Sequence, residues 1–186
     1  TDDHRWRDGY QSDNRPSYES GFDLNRWTWK RKKKHWQRPI QIVAQSKWLT
    51  KCVNDSALMS NWPVSTVPNA INTDYWKPIN KRLARKQLDL PTSAPLLLFG
   101  AEAGREDPRK GFDLIIKSLK LLKKDPRAKG IELVIFGQSR PKHLPELSFP
   151  THYMGNIRDD LILHTLYNCA DAMLVPSKQD NLPTTA

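Results

Sequence analysis

An α/β fold built on a doubly wound, parallel sheet is what this sequence predicts over most of its length, and three observations predict it. Short continuous apolar runs recur, at Leu96-Leu-Leu-Phe, Ile131-Glu-Leu-Val-Ile-Phe and Ala172-Met-Leu-Val. Strands that read apolar throughout, rather than alternating, belong to sheets covered on both faces. Between them lie stretches of helical period, and each run ends in a Gly or in a polar, turn-rich segment. The order strand, helix, strand, strand, helix, strand is that of a parallel sheet with helical crossovers.

Residues 1–25 are polar, carry both signs of charge and show no period, so they read as an irregular excursion. Residues 23–36 read as a helix, with Asp23 as its cap and Leu24, Trp27 and Trp36 on one face. A short strand follows at 40–44. Ser46 then caps a helix at 47–53, with Trp48, Leu49, Cys52 and Val53 inward. Residues 64–67 form another short strand. Residues 68–78 are rich in Pro, Asn and Asp and read as a connection. A boundary placed there gives three parts: 1–68, a linker at 69–78, and 79–186.

In the third part, 79–88 reads as a short helix and 96–100 as a buried strand. Residues 110–124 carry Phe112, Ile115, Ile116, Leu119 and Leu122 on one helical face. A second buried strand spans 131–137, and 152–154 make a short third one. Residues 159–170 form a helix capped by Asp159 or Asp160, with Leu163, Leu166, Tyr167 and Ala170 inward. The last strand is 172–175.

Composition narrows the function classes. The net charge is +10, but seven Lys or Arg and no acid lie within 26–38, and removing those seven from +10 leaves +3. The basicity is one concentrated, Trp-containing segment rather than a global nucleic-acid footprint. No stretch approaches the ~20 apolar residues of a membrane span. Cys52 and Cys169 both fall in helical patterns and are expected as reduced thiols of a cytoplasmic protein. The His and Cys residues show no zinc-ligand spacing, so no metal site is expected.

Chemistry concentrates after the strands. Neither a Gly-x-Gly-x-x-Gly nor a phosphate-loop motif follows the strand at 96–100. Instead, the loop from Gly100 to Gly111 delivers Arg105, Arg109 and Lys110 to the start of a helix. A helix start already favours anions through its free N–H groups, and added Lys and Arg make a phosphate clamp. A solvated basic loop is the alternative. After the last strand, Asp180 and Asn181 suit sugar hydroxyls, and Leu182 to Thr185 offer backbone N–H groups. A capped turn would look the same. Gly155-Asn-Ile-Arg-Asp159 is a third strand end open to close ligand approach, or a plain turn.

Five short motifs then occur in order: Ser46-Lys-Trp-Leu; Val67-Pro-Asn-Ala-Ile-Asn-Thr-Asp74; Pro108-Arg-Lys-Gly-Phe112; Gly155-Asn-Ile with Tyr167-Asn-Cys-Ala-Asp171; and Pro176-Ser-Lys-Gln-Asp-Asn-Leu-Pro183. Together they resemble the GT4-type retaining glycosyltransferases of the GT-B fold, in the branch that builds colanic-acid-type and other bacterial surface polysaccharides. The likeness runs from about residue 20 to the end.

The resemblance implies two Rossmann-like domains facing a cleft. Residues 1–68 would then be the tail of the N-terminal, acceptor domain, and 79–186 most of a nucleotide-sugar-binding domain. It implies a nucleotide-sugar donor, a saccharide or lipid-linked acceptor, and no resident cofactor or metal. Lys110 matches the lysine that contacts the donor diphosphate. The partner arginine of the family follows the strand's Gly directly; Ala101 stands there, and Arg105 in the longer loop takes that role. Asn156 and Ile157 match the region along the nucleobase. Asp180 falls where the family has the first of two Glu residues, and is one methylene shorter. Gly100, Arg109, Ser177, Asn181, Leu182, Pro183 and Thr184 complete the implied donor-binding set.

The second Glu of that pair would fall two positions beyond Ala186, and the family's acceptor-side histidine upstream of Thr1. The sequence therefore reads as an internal piece of a longer protein, inactive by itself. The basic Trp-rich segment reads either as a solvated helix face or as a contact for anionic membrane, which would make the protein peripheral at the inner membrane. Two other classes compete: a nucleic-acid-binding module using 26–38, and a different GT-B enzyme such as a sugar-nucleotide epimerase or a phosphorylase.

Overall fold

The computed structural model describes residues 4–100, 108–137 and 147–181. The chain divides into two compact units, Thr1–Ala70 and Ile71–Ala186.

In the first unit, α1 (Arg5–Asp8) precedes α2 (Leu24–His35), β1 (Ile42–Ala44), α3 (Lys47–Asn54) and β2 (Val64–Thr66). β1 and β2 pair in parallel, with Ile42 opposite Val64. The caps are the expected ones. The Asp23 side chain accepts from the Arg26 amide, and Ser46 Oγ accepts from the Leu49 amide.

Three expectations for this unit need correction. The segment before α2 is not merely irregular: it contains α1 and is organised by Arg5, which is 3% exposed. Arg5 pairs with Asp23 at 2.6 Å, bonds Asn14 Oδ1 and the Gln11 carbonyl, and stacks over Tyr10. A buried guanidinium has five donors in a fixed fork, so the chain wraps to supply acceptors. Arg5 and the Arg26 amide hold the Asp23 carboxyl below its ordinary range. In α2 the buried residue is Trp29, whereas Leu24, Trp27 and Trp36 are exposed. In α3, Trp48 is likewise exposed, and Val53 is the buried residue.

The second unit is the α/β layer structure. In order it comprises α4 (Lys81–Gln87), β3 (Leu96–Gly100), a 3-10 turn (Pro108–Lys110), α5 (Phe112–Leu122), β4 (Glu132–Phe136), β5 (Thr151–Tyr153), α6 (Asp160–Cys169) and β6 (Ala172–Leu174). The sheet order is β5-β4-β3-β6 and every pairing is parallel. Successive side chains of a strand point to opposite faces, and two cores result. On one face Phe99, Leu133 and Ile135 pack with Ile115 and Leu119 of α5. On the other, Leu96, Leu98, Val134 and Phe136 pack with Ala84 of α4 and with Leu166 and Cys169 of α6. Helices therefore cover both faces, as the continuous apolar strands require. The cap of α6 is Asp159, which accepts from the Leu161 and Ile162 amides.

One polar cluster ties this unit together at the N-terminal edge of the sheet. Asp171 accepts from Arg85 at 2.7 Å, Lys81 at 2.7 Å and the Leu96 amide at 2.8 Å. Arg85, 4% exposed, also donates to the carbonyls of Cys169 and Ala94. Burial raises the Asp171 carboxyl, but its bonds to Lys81, the Leu96 amide and Arg85 outweigh that and hold it at about 2. Residues between Ile71 and α4 pack onto α6: Trp76 stacks edge-on with His164 and lies against Tyr167, and the Lys77 carbonyl meets His164 Nε2 at 2.7 Å. Among the described residues no helix is long and apolar enough to cross a membrane.

Candidate functional site

The order β5-β4-β3-β6 fixes where a ligand can sit. From β3 the chain moves outward on one side through β4 to β5, then returns through α6 to place β6 on the other side of β3. The strand order therefore reverses at β3, and the connections after β3 and after β6 leave the C-terminal ends of adjacent strands. In open α/β sheets that switch point is where ligands bind.

Two of the predicted residues meet there. Lys110 closes the 3-10 turn that leads from β3 into α5, and Asp180 lies six residues beyond the end of β6. Lys110 Nζ and Asp180 Oδ2 are 3.0 Å apart, and both side chains are part-buried. Lys110 lowers the Asp180 carboxyl, against the opposing effect of burial, with the Asn181 amide and the Ser177 hydroxyl adding to the lowering.

The segment 176–181 is strapped onto the start of α5 by more than this pair. The Lys178 amide donates to the Arg109 carbonyl at 2.7 Å. Lys178 Nζ lies 3.0 Å from Asp113, whose carboxyl it holds low. Gly111 makes the approach possible. It has φ of +69°, and a Cβ placed there would stand 2.2 Å from the Pro176 carbonyl oxygen. The left-handed backbone and the missing side chain are both required. Gly111, Asp113 and Lys178 were absent from the expected site. A signal for Gly111 was a Gly at the entry to a helix, where Ser, Thr, Asp or Asn is the usual cap.

The other predicted positions distribute as follows. Gly100 ends β3, and its lack of a side chain has a packing cause: a Cβ would lie 2.9 Å from the Phe136 ring opposite it. Arg109 is exposed and gives its carbonyl to the strap. Asn156 and Ile157 follow β5 at the same C-terminal edge, two strands from β3; Asn156 is exposed and Ile157 packs against the core. At that edge the Gly137 amide donates to the Gly155 carbonyl at 2.8 Å, extending the ladder beyond β4 and β5. Ser177 and Asn181 flank Asp180 and bond it. Arg105, Leu182, Pro183 and Thr184 lie outside the described residues. Among the described residues no group of three or more His, Cys, Asp or Glu could hold a metal ion.

A lysine at a helix start and a carboxylate on a strap thus meet at the switch point of a doubly wound sheet. The profile of the family described as glycosyl transferases group 1 matches residues 94–186, half of the chain and all four strands of the second unit's sheet, and the chain belongs to that family. It is 31% identical over 136 residues to D-inositol 3-phosphate glycosyltransferase 2 of Catenulispora acidiphila, covering 66% of this chain and 31% of that protein. It is 28% identical over 136 residues to D-inositol 3-phosphate glycosyltransferase of Streptosporangium roseum, with the same coverage. The chain thus spans about a third of the length of these curated relatives.

Solved structures agree on the fold. Sucrose-phosphate synthase from Thermosynechococcus elongatus matches with a TM-score of 0.65 at 20% identity, over 88% of this chain and 41% of that one. WaaG, a glycosyltransferase involved in lipopolysaccharide biosynthesis, matches with a TM-score of 0.57 at 19% identity, over 84% and 43%. The chain has the α/β architecture of these GT-B glycosyltransferases.

Proposed function

We propose that this chain carries much of the donor site of a glycosyltransferase that moves a sugar from a nucleotide-sugar to a saccharide or lipid-linked acceptor in polysaccharide biosynthesis. In this reading 79–186 hold the donor and 1–68 belong to the acceptor side. The observation that carries it is Lys110, held at the switch point within the family-matched segment. Breaking the bond between the anomeric carbon and the diphosphate oxygen leaves negative charge on the diphosphate. Lys110, with Arg109 and Arg105 in the same connection, supplies positive charge where it develops. Asp180, Asn181 and Ser177 supply acceptors and donors for sugar hydroxyls. Lys110 is partly exposed, so solvent screens part of its effect. The proposed transfer proceeds with retention and without a metal.

Calorimetric titration of the full-length parent protein with UDP, GDP and ADP in EDTA tests this, with Lys110→Ala alongside. Selective binding of one nucleotide, weakened by the substitution, is expected. A folded protein that binds none of them would sink the reading. The names of the curated relatives favour a second acceptor class, an inositol phosphate. Product analysis with D-inositol 3-phosphate against a lipid-linked saccharide separates the two.

The membrane contact is a companion proposal, and with it a place at the cytoplasmic face of the inner membrane. Its support is the outer face of α2. Opposite buried Trp29, that face presents Leu24 and Trp27 and then Arg31 and Lys34, with Phe22 exposed just before it. Arg31 stacks over Trp27 at 4.7 Å. Aromatic and basic side chains together suit an anionic interface, at about 1 kcal/mol per Lys or Arg near the surface. Co-sedimentation with anionic vesicles should fall sharply when Arg31 and Lys34, on that face, become Glu. Binding indifferent to that change would count against the contact. A salt-sensitive shift with single-stranded DNA would favour a nucleic-acid partner instead.

A further inference from the structure

The strap places an anion on the very group that is proposed to receive one. Asp180 sits on Lys110, and its position is secured independently of that lysine. The Lys178 amide fixes the strap backbone to Arg109, and Lys178 Nζ fixes it to Asp113. The close passage of Pro176 over Gly111 leaves no slack at the strap's root. Asp180 also has neutral partners of its own, the Asn181 amide at 2.9 Å and the Ser177 hydroxyl. A carboxylate so supported stays charged and solvated by its strap when its cation turns elsewhere.

We propose that Asp180 is an exchangeable counter-ion for Lys110, displaced from the lysine by the diphosphate of the incoming donor. This rests on the donor-site reading above and adds to it a competition between two oxyanions for one ammonium. The free protein keeps its lysine neutralised within the chain, so unrelated anions meet a paired site rather than a bare charge. Binding of the diphosphate frees the Asp180 carboxylate at the moment a sugar hydroxyl could donate to it. The competition lowers affinity for any diphosphate that offers no sugar in return. That is discrimination by a repulsive element as well as an attractive one.

Part-buried ion pairs of this kind change binding by at most a small factor, because solvent screens them. Asp180→Asn in the full-length protein is therefore expected to tighten pyrophosphate and the cognate nucleoside diphosphate by roughly two- to fivefold, while the gain for the nucleotide-sugar is smaller or reversed. Asp180→Glu, which keeps a carboxylate, should stay near the starting affinity. The gain from Asp180→Asn should vanish in a Lys110→Ala background, because the cycle isolates the pair. Unchanged or weaker diphosphate binding in Asp180→Asn, with Lys110→Ala still weakening it, would overturn the exchange while leaving the donor site standing. A gain that persists without Lys110 would also overturn it, by showing a general field effect. Failure of the unsubstituted protein to bind any diphosphate would remove the donor-site reading itself, and the exchange with it.

Discussion

Gly111→Ala isolates the structural root of the site with a single methyl group. The added Cβ carries two separable costs. The first is conformational: φ of +69° is a backbone region that costs an L-residue roughly 1–2 kcal/mol. The second is steric, because the Pro176 carbonyl oxygen would lie 2.2 Å away and backbone must move to relieve it. Moving Pro176 draws the strap away from Arg109, and the Lys178 amide loses a 2.7 Å hydrogen bond whose net contribution is about 1 kcal/mol. The two surface ion pairs of the strap add a few tenths each at most. The sum is about 3 kcal/mol. Gly130→Ala is the matched control, since Gly130 has φ of +81° with nothing within 4 Å of a Cβ. It carries the conformational cost alone, roughly 1–2 kcal/mol. Amide exchange of the β3 core reads the stability of the second unit directly. Exchange in Gly111→Ala should exceed that in Gly130→Ala by about tenfold, corresponding to ~1.4 kcal/mol. Diphosphate affinity should change only in the former. Equal losses in the two variants would refute the claim that Gly111 exists to admit the strap.

Three further outcomes follow from the second unit. Leu166 is fully buried between the sheet and α4, so Leu166→Ala should cost about 2–5 kcal/mol, read as a lower urea midpoint. Burial pushes the Cys169 thiol up to about 11, so mass spectrometry after thiol labelling at pH 8 should find Cys169 unmodified in the native protein and modified on unfolding. Asp171, held at about 2, has a folded pKa below its unfolded value near 3.8. Its contribution is therefore complete above the unfolded value and lost as pH falls from there toward 2. The carboxylate is 40% exposed, so screening reduces the effect to on the order of 1 kcal/mol. The stability gap between the protein and Asp171→Asn should narrow by about that much between pH 5 and pH 2.

The fold was legible where its causes are local. Ile115 and Leu119 recur at helical spacing, and Leu96 to Phe99 read as one continuous apolar run. Asp23, Ser46 and Asp159 each precede a helix they were expected to cap, and each does. Legibility ended where a cause is distant in sequence. Nothing near Arg5 announces that it will be buried against Asp23, eighteen residues later. The α2 face differs from the expected one because three Trp residues, Trp27, Trp29 and Trp36, lie in or next to it, and periodicity cannot choose among aromatic residues without the packing partner. Arg85 and Asp171 join three elements across 86 residues, and nothing local to either residue marks the pair.

The site shows the same division, with a physical reason for it. Lys110 and Asp180 could each be picked from the chemistry of their connections, because a helix start and a strand end are recognisable in the sequence. That the two touch is a consequence of strand order, which puts β6 beside β3 rather than beyond β5. Once those strands are neighbours, the connections leaving them share an edge, and a lysine on one must meet what the other carries. The strap completes the pairing through a backbone hydrogen bond and a glycine, neither of which has a side-chain signature. Residue types suited to a given chemistry are thus visible one by one in the sequence. The distance between them belongs to the topology, which brings a basic loop and a polar turn to one edge and sets Lys110 against Asp180.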